Sequence, residues 1–425
     1  MIISQHSCFG VGILWATVAT QLSAQSEFAR GVKLDVGAQA IGVVTRESPA
    51  IRGETLTEGY LTQPTVMAEL NALNGSVVFK GTLNFEGVTV KRGELNAGIW
   101  GEGYVDRRHP HTYLHELVLT LGHDLGSVSM SATGGKGFVP FGTDDPMARP
   151  FEKYPINHHL AQVLERIVGI AAVRAKNVAL EAATFNGDEP ESPGDAPNPP
   201  RYWDSWSTRL TYSPFAQAEM QASYARVKSP ENAKGGGADT RKRSASVRLE
   251  DTQHSGYALL EWARTADFVG PDQTFTFTTF LGETEARLGP VRGGLRFERT
   301  ERPDESRLLD PFRTSVPQPD LGINGRSRWT IETARISAPL AMTLNARLEP
   351  FVEVARIRVS PTLTPSGFDP RQFYGSSRIW SASFGARLAI GMPHMRMGRY
   401  GAAVFQRGMS MHDGMDMTGS SAHKH

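Results

Sequence analysis

Apolar and polar residues alternate along most of this chain with a period of two, the spacing of a strand that has one oily face and one wet face. Thr65–Glu86 shows the pattern most clearly. Asn74-Gly75 divides this segment, and Asn-Gly is a strong signal for a two-residue type I′ turn, which needs positive φ at both positions. Such a turn sets the register. Ala72/Val77, Leu70/Phe79, Ala68/Gly81 and Val66/Leu83 become apolar or small pairs on one face. Asn71/Val78, Glu69/Lys80, Met67/Thr82 and Thr65/Asn84 fall on the other, mostly polar face, with one pair of opposite charge.

Similar two-faced segments recur to the end of the chain. Strands are predicted at Val32–Val44, Thr112–Leu121 and Ser127–Thr133, and again at Val178–Phe185. Leu160–Arg174 fits a helical period as well as a strand, and it is read as a strand because Ala175-Lys176-Asn177 follows as a short turn. From Trp206 the alternation is clean: Trp206, Leu210 and Tyr212, then Ala218, Met220 and Tyr224, then Val247 and Leu249, take one face. Further strands are expected near Tyr257–Thr265, Thr274–Leu281, Val291–Glu298, Arg326–Ile336, Leu344–Val354 with a bulge at Pro350, and Trp380–Ile390. Connections near Asn74, Asp124, Lys176, Pro214, His254, Glu285 and Pro339 are short. Those near Ile51, Gly98, Asp144, Pro193, Gly235, Gly270, Arg307 and Pro365 are mostly long and polar. Short and long connections in strict alternation predict an all-β, transmembrane antiparallel β-barrel of about sixteen strands, with short periplasmic turns and long external loops. A soluble sandwich would not alternate its loop lengths in this way, and no blade repeat points to a propeller.

Composition narrows the picture. Apolar residues make up 40% of the chain, and no segment after the N-terminal run approaches the ~20 apolar residues of a membrane helix. The net charge of +1 supplies no field for nucleic acid. Phe9–Ala19 is an apolar run followed by small residues, which predicts a signal peptide over 1–24, a barrel over 25–390 and a Met/His-rich periplasmic tail over 391–425. The sole cysteine, Cys8, lies in the signal segment, so the mature chain would have neither disulfides nor thiolate chemistry.

A barrel of this strand number leaves its interior to water. The strand phase directs Lys80, Arg209, Arg248, Arg292, Arg296, Arg347 and Arg387 inward, against Glu69, Glu219, Glu250, Glu298, Glu349 and Glu353. A wall so balanced predicts no strong ion preference, which leaves selectivity to a loop that narrows the passage. After the fifth strand comes Gly135-Lys136-Gly137-Phe138-Val139-Pro140-Phe141-Gly142, at the head of a long Gly- and Pro-rich loop. With the signal segment and strand count, it resembles bacterial outer-membrane porins, particularly the phosphate- and polyphosphate-selective type. That resemblance implies a non-enzymatic channel for passive diffusion of small polar or ionic solutes, surrounded by outer-membrane lipid, inserted by barrel-assembly machinery and assembled as a homotrimer. It also implies that the loop folds inward, with Lys136, Asp144, Asp145 and Arg149 at the eyelet. Porins commonly finish on an aromatic residue closing the last strand, whereas this chain runs on past Phe405 to His425.

Two clusters suggest metal chemistry. His109, His111 and His115 fall within one loop and strand start, and imidazoles two apart on an extended chain point the same way. Leu117, Leu119 and Leu121 share their parity, so a bulge or late strand start is needed to turn the histidines inward. The tail carries Met392, Met395, Met397, Met409, Met411, Met415 and Met417, interleaved with His394 and His412. Thioether and imidazole suit copper, and the segment resembles the Met/His-rich stretches of copper-resistance proteins. A copper- or silver-handling protein is therefore the alternative to a channel, with copper at the tail as the only cofactor expected. A barrel-embedded hydrolase is the third reading, and no HExxH or GxSxG pattern supports it.

Overall fold

Strands with one oily face bury it only against lipid or another sheet, and here they close into a ring. The computed structural model describes residues 26–27, 31–50, 53–90, 111–144, 146–156, 158–190, 192–196, 198–251, 256–305, 323–343, 345–363, 369–391 and 397–405. Sixteen strands form the wall. They are β1 (Val32–Ser48), β2 (Leu56–Ala72), β3 (Val77–Asn84), β4 (Leu114–Leu125), β5 (Val128–Gly137), β6 (Arg166–Ala175), β7 (Val178–Phe185) and β8 (Ser205–Phe215). They continue with β9 (Ala218–Val227), β10 (Asp239–Glu250), β11 (Gly256–Val269), β12 (Asp272–Leu288), β13 (Val291–Glu305), β14 (Ile323–Ser337), β15 (Ala346–Leu363) and β16 (Arg378–Gly391). Each strand pairs antiparallel with the next, and β16 pairs with β1 from Trp380↔Ser48 to Gly391↔Gly37, which closes the sheet. Two short extended pieces supplement the wall: Ser26–Glu27 against β1, and Leu340–Thr343 against the start of β15.

The β2–β3 hairpin has every pair that its turn chemistry dictates, from Ala72↔Val77 to Thr65↔Asn84. Asn74 and Gly75 both take positive φ, 56° and 85°, and Ser76 N donates to Leu73 O at 3.2 Å. Large apolar side chains face outward around the ring, as at Leu119, Leu180, Leu260, Leu295 and Phe384. Strand lengths run from 8 residues in β3 to 18 in β15, and ~9–11 residues suffice for a tilted strand to cross a bilayer.

Several local expectations are corrected. Leu160–Arg174 is not one strand: His158–Ala161 forms a single helical turn, 162–165 are irregular, and β6 begins at Arg166. Leu160 and Val163 were apolar because their loop packs inside the barrel. The connection at Gly270 is tight, because β11 and β12 run on together to Val269↔Asp272, so loop lengths do not alternate strictly. Glu285 lies within β12, and the turn falls at Gly289-Pro290. Pro350 produces no bulge; its register with Ala386 is regular. Its carbonyl accepts from Ala338 N at 3.0 Å, just past the end of β14, so the lost donor falls at the edge of that pairing rather than in its middle. The turn expected near Pro339 is displaced beyond Leu340–Thr343.

Candidate functional site

Among the described residues, the inner loop between β5 and β6 and a strap at 397–405 after β16 enter the ring and meet the inward side chains. The loop crosses toward β10–β16, where strand parity presents buried Arg248, Arg296, Arg335 and Arg387. Asp144 pairs with Arg248. Arg149 Nη2 lies 3.1 Å from Glu261 and its Nε 3.9 Å from Glu283. Burial works against the Arg149 charge, but these two carboxylates outweigh it and hold the guanidinium protonated above its ordinary range. Glu152 spans two cations, Arg335 at 2.7 Å and Arg387 at 2.9 Å, and Arg335 also meets Glu285 and Glu349 at 2.9 Å each. Arg296 lies 4.7 Å over the Phe151 ring, its Nη1 donates to Lys153 O at 2.9 Å, and Ile156 N donates to Glu298 at 2.8 Å. A small polar cavity of about 20 Å³ remains between Lys153, Arg296, Glu298, Glu353, Ser381 and Ser383. Buried pairs of this kind recover little net stability after desolvation, but they fix where the loop sits.

The other side of the interior is largely apolar. Phe138, Val139, Phe141 and Val163 of the loop pack with Val118, Val168, Ile170, Phe185, Ala225 and Val227 of the wall, and with Met397 and Tyr400 of the strap. Tyr400 hydroxyl donates to Glu116 at 2.6 Å and accepts from Phe138 N at 3.0 Å. Burial first, and then the Glu116 carboxylate, pushes that phenol well above its usual range, so it remains a donor. Arg399 bonds Thr211 and Glu219 at 2.8 Å each, and Arg209 holds Glu181 at 2.6 Å while donating to Gly398 O at 2.7 Å. Gly391 ends the wall with φ 74°, and a Cβ there would come within 2.2 Å of Val36 O, so only glycine lets the chain leave β16 at that point.

The histidine cluster lies at the start of β4. Leu83 pairs with Leu114 and Thr82 with Glu116, so His115 is an extra residue in the ladder, a bulge that turns its ring inward while Leu117, Leu119 and Leu121 stay outward. His115 Nδ1 is 2.7 Å and His111 Nδ1 3.1 Å from the same Glu165 oxygen, and the two nitrogens are 3.5 Å apart. Burial raises the Glu165 carboxyl, but the flanking His115 and His111 rings prevail and hold it below its ordinary range. Thr112 N donates to the other Glu165 oxygen at 2.9 Å, Thr112 Oγ1 bonds the same oxygen, and Lys136 Nζ contacts Thr112 Oγ1.

Among the other anticipated residues, Glu69 and Lys80 pair at 3.0 Å on the wall, and half-buried Arg292 pairs with Glu285 at 3.0 Å. Arg347 is exposed next to the β14–β15 turn and takes no part in the constriction. Met397 does not hang free in a tail: its thioether is buried in the apolar cluster. Asp145, His109, Met392, His394, Met395, Met409, Met411, His412, Met415 and Met417 lie outside the described residues. Glu152, Glu165, Glu261, Glu283, Arg335 and Tyr400 were not anticipated. Glu261, Glu283 and Arg335 share inward parity with Ala263, Leu281 and Thr333, a signal that phasing those three strands would have exposed.

No family model and no curated protein matches the chain. Among solved structures it is similar to an anion-selective porin from Comamonas acidovorans, at 10% identity and TM-score 0.49, over 84% of this chain and 100% of that one. It is also similar to OmpT of Vibrio cholerae expressed in the outer membrane, at 8% identity and TM-score 0.49, over 85% and 98%. Salmonella typhi OmpF in complex with daunomycin aligns at 9% identity and TM-score 0.46, over 84% and 98%. At such identities the likeness concerns the fold alone: this chain is a closed antiparallel barrel of sixteen strands, similar in architecture to bacterial outer-membrane porins.

Proposed function

We propose that this protein is an outer-membrane channel for passive diffusion of small polar or ionic solutes, with the inner loop setting the narrowest part of the passage. One observation carries this reading: a closed ring whose outward positions are apolar and whose inward positions along β10–β16 carry many charged side chains, with a loop pinned across the inside by Asp144, Arg149 and Glu152. An apolar exterior suits lipid, and a charged interior suits water and polar solutes. Cations and carboxylates in the ring neutralise one another in shared clusters, so the passage is expected to discriminate little between anions and cations. The chemistry at the interior is ion pairing, and catalysis forms no part of the proposal.

The test is planar-bilayer recording of the full-length protein folded in detergent. Discrete conductance steps, with a reversal potential near zero in a salt gradient, are expected. Arg149→Ala, which removes the guanidinium paired with Glu261 and Glu283, should raise the step size. Folded protein that inserts and passes no current would overturn the proposal.

A further inference from the structure

The inward-turned histidines have a geometry that ion conduction does not use. His111 Nδ1, His115 Nδ1 and one Glu165 oxygen form a triangle with edges of 3.5, 2.7 and 3.1 Å, and all three side chains are buried. A tetrahedral zinc with bonds of ~2.1 Å places its ligand atoms about 3.4 Å apart, so two edges already match and the shortest would open on binding. Two features of the chain aim these atoms at one point. The β4 bulge at His115 rotates that ring off the lipid face. Glu165 has φ 54°, a left-handed conformation uncommon for a non-glycine residue, and Thr112 N fixes its second oxygen at 2.9 Å while the first faces both rings. A cavity of about 30 Å³ adjoins the cluster, lined by His111, Glu165, His158, His159 and Gln162 among others, which leaves space for a water or solute as a fourth ligand.

We propose that His111, His115 and Glu165 form a site for one divalent transition-metal ion, for which zinc is the best match, clamping the start of β4 to the end of the inner loop. Two imidazoles and one carboxylate suit zinc, nickel, cobalt or copper(II), whereas calcium and magnesium prefer all-oxygen sites. Lys136, whose Nζ is 3.9 Å from Glu165, is a cation beside the carboxylate that a bound ion would have to share. The proposal uses no residue of the Met/His-rich tail and holds whether or not the barrel conducts.

The probe is Zn²⁺, with Co²⁺ as its visible reporter, titrated into chelator-stripped full-length protein in detergent. His394→Ala, His412→Ala, His423→Ala and His425→Ala are combined in one background so that tail histidines do not compete. One equivalent should bind in that background, with a Co²⁺ absorption band typical of tetrahedral coordination. In the same background His111→Ala and Glu165→Gln should each weaken binding by at least roughly tenfold. Electrophoretic mobility of the unheated barrel reports that each variant is folded. His115 is wholly enclosed, so if His115→Ala fails to fold, the other two variants decide the matter. Loss of all stoichiometric uptake with the tail histidines gone, or unchanged affinity in either His111→Ala or Glu165→Gln, overturns the proposal.

Discussion

The two halves of the barrel interior are filled by different physics. Along β10–β16 the inner loop is held mainly by directional charge: Glu152 bridges Arg335 and Arg387, Asp144 meets Arg248, and Arg149 meets Glu261, while Ile156 of the loop packs on an apolar cluster of Trp329, Ile331, Ile357, Val359, Tyr374 and Ile379. Along β4–β9 the loop and the strap are held mainly by apolar contact, with Phe138, Phe141, Val163, Met397 and Tyr400 in one cluster and ion pairs of Arg209 and Arg399 beside it. The charged half specifies position, because each carboxylate is satisfied at one place only. The apolar half supplies burial, which is non-directional and tolerates substitutions that preserve volume.

This contrast can be broken most severely at Arg335. Arg335→Met keeps much of the side-chain volume but leaves Glu152, Glu285 and Glu349 without their shared cation, and should cost about 3–5 kcal/mol in chemical unfolding of the detergent-folded barrel. A loss near ~1 kcal/mol would mean that water hydrates those carboxylates and the charge lattice is not structural. A smaller effect is expected on the apolar side. Tyr400→Phe retains the ring but removes the bonds to Glu116 and Phe138 N, and should cost about 1–3 kcal/mol, seen as a lower unfolding midpoint and faster proteolysis of the strap. The smallest effect belongs to the wall pair outside both halves. Glu69→Gln breaks a 3.0 Å pair with Lys80 whose members are both partly exposed, and the same unfolding assay should register no more than about 1 kcal/mol, less at high salt. Should Glu69→Gln match Arg335→Met, burial would not be what distinguishes the regions.

Much of the wall was legible because its rules are local. Turn chemistry at Asn74-Gly75 and a two-residue period determine which side chains of β2 and β3 face each other, and no distant residue is needed for that. The bulge at His115 was legible as a requirement, since the outward leucines and the inward histidine have the same parity. The loop segment before β6 was not legible: Leu160, Val163 and Leu164 look like a strand face because apolar spacing records burial, not the element that achieves it. The turn is expected near Glu285 because the apolar alternation fades after Leu281, yet β12 runs on to Leu288. The strap was missed for a similar reason. Methionines that suit a soft metal also suit an apolar core, and Met397 proved to be of the second kind.

The sequence by itself determined the all-β class, the antiparallel hairpin register and the oily exterior, since each follows from neighbours in the chain and a period of two. Tertiary structure alone decided that Glu152 finds Arg335 and Arg387, that Tyr400 caps Glu116, and that Glu165 joins His111 to His115. These partners lie tens to hundreds of residues apart, and a charged residue's parity gives only the side it faces. Which opposite charge lies within ~4 Å depends on how the ring closes and how the loop crosses it, and neither is encoded in local alternation.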